Sequence, residues 1–229
     1  MKLSIIIPVF NEEKTILEIL KKIDALKNHC NLEVVVVNDG SIDSSKEIIE
    51  KNKKLYSKLI NFEKNFGKGK AVIQGLKFCT HDYVIIQDAD LEYDPNDYQK
   101  ILEPFKLGVA DVVYGSRFIG SDETRVLYFW HTVGNKFLTL LSNIFSNLNL
   151  TDMEVCYKVF KSKILKEIEL KENRFGFEPE ITAKIGKKKL RIYEVGVKYY
   201  GRTYSNGKKI TWLDGLSALR CIFYYNLFK

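Results

Sequence analysis

Three short apolar runs, each ending in an acid-bearing turn, constrain this chain more than any other feature. Leu3–Val9 runs into Pro8–Glu13, Leu32–Val37 into Asn38–Asp43, and Val84–Ile86 into Gln87–Asp94. Runs of Val and Ile without polar alternation are what a strand buried on both faces requires. Helical patterns lie between them. Ile16, Leu17, Leu20 and Ile23 have core spacing in the first, and Asp43 to Lys54 forms the second. Alternating strand and helix predicts an α/β chain with a mostly parallel, Rossmann-like sheet flanked by helices. Such sheets bind ligands in the crevice beyond the carboxyl ends of their strands, so all three acidic turns are expected to meet there.

The third turn carries Asp88, Asp90, Glu92 and Asp94. Strand alternation places Asp88, Asp90 and Glu92 on one face. Converging carboxylates repel one another unless a cation neutralises them, and oxygen ligands suit Mg²⁺ or Mn²⁺, ions that bridge protein to substrate phosphates. The plainer alternative is an acidic loop capping the next helix, the role expected of Asp94 before Pro95. Asp39-Gly40-Ser41 likewise reads as a turn leading to a helix cap at Ser41 or Asp43. Phe66–Lys70 enters a third helix, where free N–H groups and basic side chains would favour an anion, or where Lys68 merely begins a helix.

Taken in order, PVFNEE (8–13), VVVVNDGSIDSS (34–45), NFGKGKA (65–71), QDADLEYDP (87–95), GSRF (115–118), TDMEVCYKVF (151–160), FEPE (177–180) and YYGRTYSNGKK (199–209) resemble the family 2 glycosyltransferases of the GT-A fold. Within them the likeness is to the dolichol-phosphate mannosyltransferase, or polyprenyl-phosphate glycosyltransferase, branch. The resemblance implies a nucleotide-sugar site formed by Pro8, Glu12, Asp39, Lys70, Asp88, Ala89, Asp90, Arg117, Arg202 and Lys208. In it Glu12 and Asp39 touch base and ribose, Asp88 faces the nucleoside, and Arg117 and Arg202 hold phosphate. Chemistry agrees, since carboxylates accept from base N–H and ribose hydroxyls, and guanidinium forks match phosphate oxygens. The implied metal ligands are Asp90 and Glu92, the latter standing where mannosyltransferase relatives often carry Gln. Arg202 lies in a Gly, Ser and Asn-rich loop between a strand at Arg191–Tyr199 and the last helix, a natural lid.

The family link also implies inversion at the anomeric carbon, with Asp90, Arg117 and Arg202 serving catalysis by charge stabilisation. A lipid phosphate acceptor is already ionised, so positioning suffices. An alcohol such as diacylglycerol must lose a proton to a carboxylate. Asp152, Glu154, Glu178 and Glu180 are the candidates, and Glu180 is the preferred base. Lipid-phosphate relatives read nearer Gly-Phe-Arg where this chain has Cys156-Tyr157-Lys158, which leaves both acceptors open.

The 229 residues, 45% hydrophobic, suit one domain, with residues 1–118 as the nucleotide-sugar half and 119–229 as the acceptor-binding and membrane-facing half. No signal peptide and no membrane span is expected, and the protein is placed in the cytoplasm, peripheral on the inner face of the membrane. Cys30, Cys79, Cys156 and Cys221 are scattered, as are His29, His81 and His131, which argues for reduced thiols and against zinc. Val126–Leu150 and Trp212–Lys229 mix aromatic and aliphatic residues with Lys or Arg, the pattern of interfacial helices, of sheet-packing helices or of a homo-oligomer contact. A net charge of +7 favours anionic lipids, whereas acids at the crevice and the lack of an RNA-recognition motif disfavour nucleic acid. A soluble glycan or protein acceptor, and a nucleotide-sugar-binding module without turnover, are the alternatives to transfer onto a membrane lipid.

Overall fold

The structure, a computed structural model, describes residues 1–27, 30–120, 126, 128–202 and 212–229, with Trp212 described by its backbone alone. The elements are, in chain order, β1 (Lys2–Val9), α1 (Ile16–Ala25), β2 (Asn31–Asn38), α2 (Ser45–Lys51), β3 (Lys58–Asn61), α3 (Lys68–Leu76), β4 (Tyr83–Ile86), α4 (Tyr98–Lys106), β5 (Val112–Ser116), α5 (Phe129–Ser146), β6 (Lys158–Lys161), α6 (Ser162–Lys166), α7 (Phe177–Gly186), β7 (Ile192–Gly196) and α8 (Trp212–Leu227). They build one seven-stranded sheet in the order β3-β2-β1-β4-β6-β5-β7.

The apolar runs explain the centre of that sheet. Ile5, Ile6 and Ile7 of β1 and Val34 to Val37 of β2 are fully buried, each worth roughly 1.5–3 kcal/mol relative to exposure. β1 pairs in parallel with β2 on one side and β4 on the other. The chain steps outward from β1 through β2 to β3, then returns to the other side of β1. That reversal sets the ends of β1 and β4 side by side, as at the ligand-binding switch point of other open α/β sheets.

The sheet is parallel except at β6, which runs antiparallel to both β4 and β5. Its Lys158 is fully buried and pairs with Glu178 of α7. The second helix is shorter than the 43–54 pattern predicts, because Asp43 stands outside it and accepts from the Ser45 N–H at 3.0 Å. The strand expected at 191–199 runs Ile192–Gly196 and pairs in parallel with Val112–Ser116. The four cysteines are free thiols.

α5, α7 and α8 pack on one another beyond the sheet, with rings of Phe145 and Phe223 at 5.0 Å. α5 is inverted relative to an ordinary amphipathic helix. Its buried residues are Asn135, Thr139, Ser142 and Ser146, while Phe129 (70% exposed), Trp130 (79%), Phe137 and Ile144 face outward. On α8, Leu213, Leu216, Phe223 and Leu227 are exposed as well, as is Phe228 just beyond it. Among the described residues no helix is long and apolar enough to cross a membrane.

Candidate active site

The turn after β4 is built by Gln87, which is fully buried. Its N–H donates to the Ile6 carbonyl (2.9 Å), and its side-chain oxygen accepts from the hydroxyls of Tyr98 (2.6 Å) and Tyr157 (2.5 Å). Its side-chain amide donates to the Asp88 carbonyl at 2.9 Å. Anchored there, the chain turns through Leu91 at φ +62, a left-handed conformation that costs a branched residue energy and is kept where the surroundings enforce it. The turn brings the Glu92 N–H to Asp90 Oδ1 at 3.1 Å.

A cavity of about 340 Å³ opens at this turn. Pro8, Glu12, Asp39, Asp88, Ala89, Asp90, Glu92, Arg117 and Arg202 all line it, so residues from the ends of β1, β2, β4 and β5 and from beyond β7 converge. Arg202 is their hub. Its guanidinium donates to both Glu12 oxygens at 3.1 Å and to Asp90 Oδ2 at 2.9 Å, and its Nε stands 3.7 Å from Glu92. Glu92 in turn accepts from the Tyr199 hydroxyl (2.9 Å) and the Arg202 N–H (2.6 Å), tying the end of the described 199–202 segment to the acidic turn.

Electrostatics follow from this crowding. Burial, reinforced by the neighbouring charges of Asp88 and Glu92, pushes the Asp90 carboxyl up to about 7 despite Arg202. Burial also acts on Asp88, but Lys68, 2.8 Å away, overcomes it and holds that carboxyl below its usual value. Among the described residues no three His, Cys, Asp or Glu side chains form a ready-made cation cage. Asp90 and Glu92 are the residues that would supply oxygen donors to a hard divalent ion, whose charge would offset their crowding. Crowded carboxylates already draw in one cation, the Arg202 guanidinium.

Several expectations are corrected. Lys70 is exposed and absent from the cavity wall, and its N–H is taken by the Asn173 carbonyl at 2.9 Å; Lys68 lines the cavity instead. The glycines of this motif serve close packing. Gly67 has φ +103, and a Cβ on Gly67 or Gly69 would meet the backbone oxygens of Asn173 or Glu172 at 2.5 and 2.1 Å. Asp39 spends its oxygens on the same loop, accepting from the N–H groups of Phe66 (2.7 Å) and Gly67 (2.8 Å) and from the Asn65 amide (2.9 Å).

Glu180 does not reach the cavity. It is fully buried, pairs with Lys184 at 2.6 Å and accepts from the N–H groups of Lys171 and Glu172. Glu154 and Glu178 line the wall in its place. Asp152, another of the candidate bases, is a buried brace that accepts from Arg117 Nε and Nη2, both at 2.6 Å. Burial raises its proton affinity, but the Arg117 charge and hydrogen bonds outweigh this and keep it ionised below the usual range. Arg174 and His131 also line the cavity without having been singled out for it, because nothing in their local sequence marks them. Lys208, and Lys209 beside it, lie outside the described residues.

The family model for glycosyl transferase family 2 matches residues 4–169. The dolichol-phosphate mannosyltransferase of Pyrococcus furiosus is 29% identical over 92% of this chain, which spans 61% of that enzyme's length. The UDP-N-acetylglucosamine–dolichyl-phosphate N-acetylglucosaminyltransferase of Methanococcus voltae is 28% identical over 88% of this chain and 86% of its own. Glucosyl-3-phosphoglycerate synthase from Mycobacterium tuberculosis, solved with Mn²⁺, UDP and phosphoglyceric acid, shares the fold at a TM-score of 0.78 and 15% identity, covering 100% of this chain and 79% of its own. With the acidic turns at the ends of β1 and β4 set around one cavity, these likenesses show that the chain belongs to glycosyl transferase family 2, has the GT-A fold, and resembles the dolichyl-phosphate enzymes of that family.

Proposed function

We propose that this glycosyltransferase is inverting and metal-dependent, and moves a hexose from a nucleotide-diphosphate sugar of the UDP-glucose or GDP-mannose type to a membrane lipid, either a polyprenyl phosphate or a diacylglycerol-type alcohol. The observation that carries the lipid acceptor is the inverted face of α5. Small polar residues are buried and Phe129, Trp130, Phe137 and Ile144 are exposed, an arrangement costly in water and favourable at a lipid interface. His131, one residue beyond that aromatic pair, lines the cavity, so the apolar face and the crevice adjoin. The net charge of +7 supports docking on anionic lipids, with the enzyme peripheral to the bilayer. The two relatives named for dolichyl-phosphate acceptors support the same reading.

In this reading Glu12 and Asp39 border the nucleoside and Asp88 faces it. Arg202 exchanges its carboxylate partners for the donor diphosphate, and Arg117, held rigid by Asp152, presents positive charge at the wall. Asp90 and Glu92 would hold Mg²⁺ or Mn²⁺, which supplies charge neutralisation for the leaving diphosphate. The neighbour solved with Mn²⁺ and UDP supports that choice of ion class.

The test crosses radiolabelled UDP-glucose and GDP-mannose with polyprenyl phosphate and diacylglycerol in mixed micelles containing Mn²⁺ or Mg²⁺, with analysis of the extracted lipid. Labelled lipid from one pair fixes donor and acceptor together. Turnover confined to a soluble glycan or protein would overturn the lipid acceptor, and donor binding without turnover under any condition would leave only a binding module.

A further inference from the structure

Four carboxylates come from the Thr151–Phe160 and Phe177–Glu180 motifs, and three have their charge committed elsewhere. Asp152 is clamped by the Arg117 fork at 2.6 Å. Glu180 is satisfied by Lys184 and two backbone N–H groups away from the cavity. Glu178 pairs with the buried Lys158 and stands 3.6 Å from Lys68, so two ammonium groups flank it. Glu154 differs from all three in having no Lys or Arg within ion-pair distance among the described residues, whereas Glu178 has two. It lines the cavity, remains partly exposed, and its Oε1, like that of Glu178, is buried with no hydrogen-bond partner. A buried carboxylate oxygen left unsatisfied beside open space is a site awaiting a donor.

We propose that Glu154 is a catalytic base that accepts the proton of a hydroxyl nucleophile bound in the cavity. This rests on the transfer reading above and names its acceptor class as an alcohol. As the acceptor oxygen forms its bond to the anomeric carbon, its O–H bond breaks and the proton passes to the Glu154 carboxylate. The bond from the anomeric carbon to the diphosphate oxygen breaks, and its electron pair leaves with the nucleoside diphosphate. A phosphate acceptor attacks through an oxygen that is already ionised and needs no base, so an alcohol is the nucleophile for which Glu154 has a role.

The surroundings suit the role. Burial first, then the charges of Glu178 on α7 and of Asp152, raise the proton affinity of Glu154; Lys158 of β6 and Arg117 beyond β5 oppose them. The result is a carboxyl near 7, a far better proton acceptor at neutral pH than an ordinary glutamate.

Nucleoside diphosphate release from UDP-glucose and GDP-mannose, measured with Mn²⁺ for wild type, Glu154→Gln and Glu154→Asp from about pH 5.5 to about pH 9, tests this. Diacylglycerol serves as acceptor in one arm and water alone in the other. Glu154→Gln should lower kcat about 10²–10⁴-fold, abolish the rising limb near neutral pH, and leave donor affinity within about twofold. Glu154→Asp should recover part of the rate and of the limb. Unchanged kcat in Glu154→Gln, or a loss of donor affinity with kcat retained, overturns the base. So does transfer to polyprenyl phosphate as the preferred reaction. A wild type that hydrolyses donor but makes no glycolipid defeats the lipid reading alone, because the water arm still measures Glu154.

Discussion

The strand-end turns and the helices α3 and α7 supply side chains to the same cavity, but they tolerate misreading very differently. At the ends of β1, β2 and β4 the topology itself delivers whatever the turn contains, and Glu12, Asp39, Asp88, Asp90 and Glu92 all reach the wall. On a helix, two residues of separation is a rotation of about 200°. Lys68 lines the cavity and Lys70 faces solvent; Glu178 lines it and Glu180 is turned to Lys184. A motif at a strand end therefore names the residues that reach the crevice, whereas a motif in a helix names a segment whose cavity-facing side only packing decides.

The first way to break that comparison is at the brace joining its two regions, where Asp152 locks Arg117 at the end of β5. Asp152→Asn leaves a buried guanidinium unpaired and should cost about 3–5 kcal/mol in denaturant unfolding. A loss below about 1 kcal/mol would mean that Arg117 finds other partners or water.

Next comes Glu154, whose folded-state carboxyl lies near 7 against an ordinary 4.5. A raised carboxyl contributes full stability below about pH 4.5 and loses it as pH rises through about 7. Glu154→Gln should then stabilise the protein by about 1–3 kcal/mol near pH 8 and by almost nothing near pH 4. An equal change at both pH values would contradict the assigned environment. The helical phase itself is tested by Lys68→Met against Lys70→Met. The first removes the Asp88 partner and should weaken donor binding at least about tenfold, the second less than about twofold. The smallest effect is expected on the outer face of α5. Phe129→Ser with Trp130→Ser should reduce partition onto anionic vesicles by about tenfold and change unfolding free energy by less than about 0.5 kcal/mol.

Legibility follows the same division. β1, β2 and β4 were readable because buried parallel strands are continuous apolar runs, and the crevice followed from their alternation with helices. β3 was not readable, since Lys58–Asn61 is a short edge strand with only half-buried residues. Nor was the insertion of β6 between β4 and β5, because strand order is decided by packing and Lys158 looks like a surface residue until Glu178 is placed beside it. The interfacial pattern of Val126–Leu150 was visible, but its inversion was not. Asn135, Thr139, Ser142 and Ser146 form an inner stripe that periodicity marks as polar and therefore outward. Base assignment failed for a related reason. The sequence offers four acids without their counter-ions, and only the fold shows that Arg117, Lys184 and the Lys158–Lys68 pair claim three of them.

The central claim is that the acidic turn after β4 is the donor's anchoring point. Calorimetric titration of UDP and of GDP into wild type and Asp90→Asn, with Mn²⁺ and again with chelator, tests it most directly. The account predicts binding of one nucleotide that requires the cation and weakens at least about tenfold in Asp90→Asn. Equal affinity in chelator, undiminished by the substitution, would contradict it.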